Sequence, residues 1–277
     1  LFALLPLIFY AMYRARRYKM ARTRWRGVRF GMEKGAWGFA ARAIGYGLLT
    51  LVSFGALFPL GNFKLEKYMA DRSYCGDARF EQGGKWTALY GAAKHVFIGL
   101  GVLIAGVAIG GAAQSEALMG IAVLVGYIWL MVGFVYYRVH SFRYMAENRM
   151  LGDQITFTAT PTTGEVIKIY IIGALIIAVV VAVLVFIGGL FFGAVMSMAG
   201  IGNMGLVGAL GVVLYLIALV LLGAMALVFI TQPTIAHFIT NFTVHNADAL
   251  NDIQQRAMET GVDAEGFADA LDIGGAI

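Results

Sequence analysis

The chain is poor in charged residues and contains a single cysteine. Only 13% of its 277 residues are charged and 60% are hydrophobic, whereas soluble domains average about 25% charged and about 45–50% apolar residues. Because one globular core could not bury this much apolar surface, a lipid bilayer is the expected environment. A lone cysteine excludes an internal disulfide and a multi-cysteine metal site. We interpret Cys75 as a small filler beside Gly76.

Motifs for catalysis and cofactor binding are also missing. The sequence has no H-E-x-x-H, no G-x-S-x-G and no phosphate-binding P-loop. Its histidines lack metal-ligand spacing with a third ligand. The G-x-G-x-x-G match at residues 200–205 lies between two apolar segments instead of after a strand, so we interpret it as a loop or packing element. We therefore expect no enzyme activity, no cofactor and no metal site.

Acidic residues are missing from the strongly apolar segments. Proton- or cation-coupled transport commonly uses such acids, so this mechanism is disfavoured. One charged residue, Arg42, lies well inside an apolar segment. An ionisable residue at membrane depth is a candidate functional site, and Arg42 is our candidate intramembrane polar residue. The alternative is that its side chain reaches out to the membrane surface.

Apolar segments recur along the chain. From them we predict an all-α, polytopic membrane protein of repeated transmembrane helical hairpins in residues 1–246, followed by an acidic cytoplasmic tail in residues 247–277. One apolar segment is divided into two helical arms at Phe54, Gly55 and Pro59, because Gly and Pro weaken a helix. The first segment is too short to span a bilayer, so we expect the natural chain to begin further upstream. The predicted arms are residues 1–13, 36–53, 56–74, 86–113, 117–138, 167–199 and 204–232.

A basic motif with a tyrosine follows three of these segments. Its spacing from Tyr to Phe is 12, 12 and 13 residues, and repetition at nearly fixed spacing is typical of internal repeats. The copies are Arg17-Tyr18…Arg22…Gly27…Phe30, Lys67-Tyr68…Arg72…Gly76…Phe80 and Arg143-Tyr144…Arg149…Gly152…Phe157.

The motif favours lipid headgroups as ligands. An Arg four residues after a Tyr shares its helix face, Tyr is favoured at headgroup depth, and Arg binds a phosphate through two parallel hydrogen bonds. The alternative is that these charges only fix the membrane topology. The predicted anionic-lipid-binding ring consists of Arg17, Tyr18, Arg22, Lys67, Tyr68, Arg72, Arg143, Tyr144 and Arg149.

The count of basic residues favours hairpins over single crossings. If residues 36–60 crossed the bilayer once, nine Lys and Arg would lie on each side, whereas a hairpin places eighteen on one side and none in the short loops opposite. Positive residues collect on the cytoplasmic side, so we predict that the basic ends and the acidic tail are cytoplasmic. We expect Gly106 with Gly110, and Gly189 with Gly193, to let helices pack closely. A gating hinge is the alternative for these glycines.

These features resemble the YjgN-like family of bacterial inner-membrane proteins, a domain of unknown function. The resemblance rests on the spaced basic motif, the re-entry from Glu33-Lys-Gly-Ala-Trp-Gly38 into TLVSFGALFPL, and the tail ending GFADALDIGGAI. It implies a multi-pass protein of the bacterial inner membrane, a further N-terminal repeat, no catalytic residues, and a membrane zinc metallopeptidase as partner. At the fourth position His237-Phe238…Asn241…His245 replaces the basic motif.

For function we expect an accessory or interaction subunit of a membrane complex. Catalytic constellations and intramembrane acids are missing, and the acidic tail suits docking on a partner. The alternative is a channel or transporter for a small solute or lipid, with Arg42 lining the path. The expected partners are the bilayer, anionic lipids and a membrane protein. Nucleic acid is not expected, because the basic residues adjoin apolar segments.

Overall fold

Helices and short strands alternate along the computed structural model of the protein, which describes residues 4–199 and 204–256. The helices are α1 (Leu5–Arg22), α2 (Ala36–Val52), α3 (Phe58–Ala70), α4 (Leu89–Ala112), α5 (Glu116–Glu147), α6 (Thr163–Ala199), α7 (Met204–Ala226) and α8 (Gln232–Thr240). The strands are β1 (Arg24–Trp25), β2 (Val28–Met32), β3 (Ser73–Cys75), β4 (Ala78–Gln82), β5 (Arg149–Leu151), β6 (Ile155–Ala159) and β7 (Phe242–His245). Single tighter or wider helical turns occur at Trp86–Ala88, Leu227–Thr231 and Ala247–Asn251.

The all-α prediction is right for the apolar segments and wrong for the second half of each basic segment, which forms β-strands after the helix end. These strands make one seven-stranded sheet in chain order from β1 to β7, and neighbours from β1 to β6 pair antiparallel. The glycine of each basic motif lies in the turn between two strands. Gly27, Gly76 and Gly152 have φ of +88°, +55° and +57°, which glycine adopts without steric strain. The motif glycine therefore marks a β-turn and not a helix end.

The phenylalanine of each motif lies on an alternate strand of this sheet. The Phe30 ring stacks on Phe80 with centroids 6.4 Å apart, and Phe80 stacks on Phe157 at 6.3 Å. The residues belong to β2, β4 and β6. Aromatic rings at such distances attract one another beyond the area they bury. The ladder therefore joins the three strand pairs across the sheet.

Among the described residues, four helical segments are long and apolar enough to cross a membrane. They are Trp86–Ala112, Glu116–Glu147, Thr163–Ser197 and Gly208–Thr240. A fifth apolar helix, Ala36–Val52, is shorter. Most residues in the four segments are exposed, as expected for helices that face lipid. The structure thus indicates that the protein associates with a membrane.

Glycines place α4 and α5 in backbone contact. A Cβ atom on Gly106 would lie 2.2 Å from the Cβ of Ala122, and one on Gly110 would lie 2.7 Å from the Cβ of Met119. Gly133 meets the α4 backbone at His95 in the same way, at 2.8 Å. The packing role predicted for Gly106 and Gly110 is confirmed. A methyl group added to Gly189 or Gly193 would have no described atom within 4 Å, so a packing role for that pair stays a prediction.

The helices α2 and α3 form a shallow antiparallel pair. Gly61 packs against Tyr46, and Gly38 packs against Tyr68 at the other end. The connection between the helices reaches only the first turn of α4, where Tyr90 donates a hydrogen bond to the Ala56 carbonyl at 2.8 Å. Phe54 at this connection is 91% exposed. The α2–α3 pair follows β2 and precedes β3 in the chain. Both ends of the pair therefore adjoin the sheet.

The contacts divide the chain into two compact units. One unit contains residues 1–159 and 243–277, and the other contains residues 160–242. In the first unit, buried side chains gather where α1 to α5 meet the loops of the sheet, with Tyr13, Leu89 and Ala93 fully buried. In the second unit, α6 packs closely on the turn at Leu227–Thr231, because a Cβ on Gly173 would lie 2.7 Å from the Phe229 carbonyl oxygen.

Candidate functional site at the junction of helices and sheet

The motif tyrosines Tyr68 and Tyr144 fasten helix ends to the loops of the sheet. Tyr68 donates its hydroxyl to the Gly35 carbonyl at 3.0 Å, in the loop after β2. The Tyr144 hydroxyl accepts from the Lys85 N–H at 2.7 Å and donates to the Lys85 carbonyl at 3.2 Å, in the loop after β4. These hydroxyl groups are therefore committed to loops of the protein instead of facing lipid headgroups.

His237 makes the corresponding contact in the second unit. Its Nε2 accepts from the Thr162 N–H at 3.1 Å, in the loop that follows β6. Asn241 donates to the His237 carbonyl at 2.8 Å, as Asn148 does to the Tyr144 carbonyl at 2.8 Å. Sequence reasoning treated this copy as degenerate, yet an imidazole can bind a loop amide as a tyrosine hydroxyl does.

Tyr18 behaves differently from the other two motif tyrosines. Its side chain is 53% exposed, and the Arg22 guanidinium lies over its ring with Cζ 4.8 Å from the centroid. Tyr13, which was not a predicted site residue, is fully buried and donates its hydroxyl to the Glu33 carbonyl at 2.7 Å. Only the pairing of Tyr18 with Arg22 matches the predicted surface arrangement in this first copy.

Four predicted lipid-binding cations contact protein groups. Arg17 is buried and donates its Nε to the Met32 carbonyl at 3.1 Å. Lys67 lies 3.0 Å from an Asp71 carboxylate oxygen and also contacts the Gln82 carbonyl. The remaining two are Arg143, which lies 2.8 Å from Glu147, and Arg149, whose partners are Glu66 and Gln82. These four cations therefore have protein groups as neighbours, and a role of the ring in lipid binding stays a prediction.

Glu66 is the functional-site candidate that sequence reasoning missed. Its carboxylate accepts from both terminal nitrogens of Arg16, at 3.2 and 3.3 Å, and from Nη2 of Arg149 at 3.0 Å. Its side chain is only 24% exposed. This carboxylate joins α1, α3 and β5, which are far apart in sequence. The available signal was an acid on α3 between segments rich in arginine.

Gln82 completes this polar network beneath the sheet. It is 1% exposed, its amide Nε2 donates to the Met145 carbonyl at 3.0 Å, and its Oε1 accepts from Arg149 Nε at 2.9 Å. Its backbone N–H donates to Asp71 Oδ1 at 2.8 Å. Buried polar groups require such partners, so this side chain fixes the end of α5 against β4.

Arg42 and Arg72 lie over the ring of Tyr68. The Cζ of Arg72 is 3.7 Å from the ring centroid and that of Arg42 is 4.6 Å from it. Arg42 donates to the Gly38 carbonyl on its own helix at 3.0 Å, and Arg72 donates to the Tyr68 carbonyl at 3.4 Å. Within the described part of the chain, neither arginine has a carboxylate partner. The structure thus brings together two predicted site residues, Arg42 and Arg72, that the sequence placed in separate roles.

Two cavities lie away from Arg42. One borders the β3–β4 and β5–β6 turns and includes Asp77, Asp153 and Asp252. The other is an apolar groove of α4 and α5 that includes Val102 and Leu118. In residues 4–199 and 204–256, no group of three or more His, Cys, Asp or Glu side chains is arranged to hold a metal ion.

The beginning of the acidic tail lies on the turns of the sheet. Gln254 and Asp77 exchange two hydrogen bonds of 3.0 Å, from the Asp77 N–H to the Gln254 carbonyl and from the Gln254 N–H to the Asp77 carboxylate. Arg26 donates to the Asn251 side chain at 2.5 Å, and the Arg29 N–H donates to Gln255 Oε1 at 2.8 Å. The tail acids from Glu259 onward, and residues 200–203 of the glycine motif, lie outside the described residues.

Comparison with known proteins identifies one relationship. A family model described as "Bacterial protein of unknown function (DUF898)" matches residues 1–176 of the chain. No curated protein and no solved structure matches the chain significantly.

Proposed function

The chain belongs to the DUF898 family of bacterial proteins of unknown function, and we propose that it is a multi-pass inner-membrane protein that serves as an accessory or interaction subunit of a membrane complex. The observation that carries this proposal is the gathering of the basic segments into one sheet at one end of the helix pairs. The basic motifs, with their shared turns and aromatic ladder, are in this proposal repeats of one unit of two helices and two strands.

The orientation follows from charge. In the first unit, the α2–α3 and α4–α5 pairs both begin and end at the sheet. The segment before α2 contains nine Lys and Arg at residues 14–34, and the connection at residues 113–115 contains none. Because basic residues remain on the cytoplasmic side, the sheet and the tail that begins on it are cytoplasmic. The folded sheet then offers bacterial cytoplasmic proteins, or cytoplasmic parts of membrane proteins, a surface for docking.

The placement of Arg42 favours this role over transport. A channel would require a polar path past Arg42, whereas its guanidinium stacks on Tyr68 and donates to the Gly38 carbonyl of its own helix. The polar side chains beneath the sheet, such as Glu66 and Gln82, bind other protein groups.

Site-specific photo-crosslinking in native membranes tests the proposal. A crosslinking residue at Thr156, an exposed position of β6, should give one discrete protein adduct, and the same partner should copurify in constant ratio in mild detergent. The control position is Leu124 on α5, which is 60% exposed and should give lipid adducts. The metallopeptidase that the family resemblance implies is one partner to probe for. Lipid adducts alone from both positions, together with solute flux in proteoliposomes, would replace this proposal with transport.

A further inference from the structure

We propose that Arg42 and Arg72 form a binding site for a phosphate ester anion at the base of the α2–α3 pair. The inference rests on the proposed membrane location, because that location brings lipid phosphates to this site. The ligand class is a phosphate monoester or diester, either the headgroup of an anionic glycerophospholipid or a soluble phosphate compound.

The first argument is the fixed geometry of the two guanidinium groups. Tyr68 is only 9% exposed and its hydroxyl is held by the Gly35 carbonyl, so the ring is a rigid support. Arg72 lies against it at 3.7 Å and Arg42 at 4.6 Å. Arginine stacks on aromatic faces while its N–H groups remain free to bind. The two cations therefore remain close together and prearranged.

The glycines of the first turn of α2 make room for this arrangement. A Cβ on Gly38 would lie 2.6 Å from the Tyr68 hydroxyl and 3.2 Å from Nη1 of Arg42. A Cβ on Gly35 would lie 2.8 Å from that hydroxyl and 3.3 Å from Nε of Arg72. Side chains at these two positions would push the tyrosine and both arginines away from the helix.

The second argument is charge. Arg143 and Arg149 of the basic motif are each paired with a carboxylate, whereas Arg42 and Arg72 share one ring without a carboxylate partner in the described part of the chain. Two like charges on one ring repel each other, most strongly where the surroundings are apolar. An anion that binds both guanidinium groups offsets the repulsion, and a phosphate oxygen pair matches the planar fork of arginine.

The third argument is depth. Trp37 begins α2, is half exposed, and packs its ring on Tyr10 with centroids 4.8 Å apart. Trp and Tyr are enriched at the membrane–water interface. Arg42 follows Trp37 by five residues on the same helix and is exposed. The two arginines thus lie at the level of lipid phosphates.

Native mass spectrometry of the full chain, purified in mild detergent, tests this site. The test variant is Arg42→Lys with Arg72→Lys, which keeps both charges and removes both forks. The matched control is Arg22→Lys, because Arg22 also stacks on the tyrosine four residues before it, at 4.8 Å. We expect the double variant to retain phosphatidylglycerol about tenfold less well, and the control to match the natural protein. Phosphatidylcholine retention should not change in either variant.

Further measurements make each outcome decisive. Arg42→Gln alone serves if the double variant does not fold, because Arg42 is exposed and its contacts in the described part of the chain are with its own helix and Tyr68. Displacement of the lipid by millimolar inorganic phosphate or glycerol phosphate would identify a soluble ligand. Unchanged lipid retention in the double variant, or equal loss in Arg22→Lys, overturns the site. Thr156 crosslinking in the same double variant reports separately on the docking role, so failure of either proposal is recognised on its own.

Discussion

At the residue scale, Glu66 has the most consequential position in the first unit. One carboxylate receives Arg16 from α1 and Arg149 from β5, so it connects elements that do not follow each other in the chain. The pair energies are modest because the groups are partly exposed. Loss of the carboxylate charge, however, leaves two partly buried guanidinium groups facing each other without an anion, and that is costly.

We predict that Glu66→Gln lowers the free energy of unfolding by about 1–2 kcal/mol. Glutamine keeps the size of the side chain but removes the charge that binds two arginines. The thermal midpoint in detergent should fall by about 3–6 °C. The control is Arg143→Gln, which removes an exposed pair with Glu147 and should change the free energy by less than about 0.5 kcal/mol. Equal effects of both variants would show that Glu66 is an ordinary surface acid.

At the element scale, the contact of α4 with α5 depends on small residues. Three residues of α5 lie so close to glycines of α4 that a methyl group on the glycine would clash with them. They are Leu130, Ala122 and Met119. In lipid, apolar side chains gain little by leaving the solvent, so close backbone approach is a main source of helix association. The pair is therefore stabilised by van der Waals contact along its whole length.

We predict that Gly106→Ala destabilises this pair, because the new methyl group would lie 2.2 Å from the Ala122 Cβ. Overpacking of this kind costs about 1–3 kcal/mol, and the thermal midpoint in detergent should fall by several degrees. Gly101→Ala is the matched control on the same helix. No described atom lies within 4 Å of its added methyl, so the midpoint should stay the same or rise. A fall in both variants would mean that the loss does not come from the contact of Gly106 with Ala122.

The sequence alone predicts the apolar helices but does not predict the sheet. Long apolar runs predict helices from composition alone, as in α4 and α6. The strands have only two to five residues. β4 and β6 do alternate apolar with polar side chains, as at Arg79, Phe80 and Glu81, but runs this short next to basic helix ends do not by themselves predict strands. Similarly, the contact of Glu66 with Arg149 joins residues 83 positions apart. Only the pairing of β4 with β5 brings them together.

At the scale of the whole molecule, the proposed orientation places every connection of the first unit on a defined side. In this orientation the sheet turns, including Asp153, would be cytoplasmic, and the α4–α5 connection at Ala113 would be periplasmic. Native Cys75 does not interfere with labelling, because burial, and next the nearby Asp77 carboxylate, raise the pKa of its thiol above the ordinary value. A raised pKa leaves less reactive thiolate at neutral pH.

We predict that a membrane-impermeant maleimide labels Ala113→Cys in intact spheroplasts, because this position would face the outside. Asp153→Cys should be labelled only after the membrane is opened. The natural chain is the control, and its Cys75, which is 1% exposed, should react only after denaturation. Labelling of Asp153→Cys in intact spheroplasts would reverse the orientation.

The shallow α2–α3 pair has a mechanical consequence in this orientation. Its exposed connection at Phe54 reaches no further than the first turn of α4, while α4 and α5 extend well beyond it. The pair then displaces lipid from the cytoplasmic leaflet and leaves the periplasmic leaflet intact. A protein segment that takes up area in one leaflet only makes the bilayer bulge toward that leaflet. Shallow apolar helices are sensitive to such curvature. The first unit would thus act as a wedge, with its broad end toward the cytoplasm.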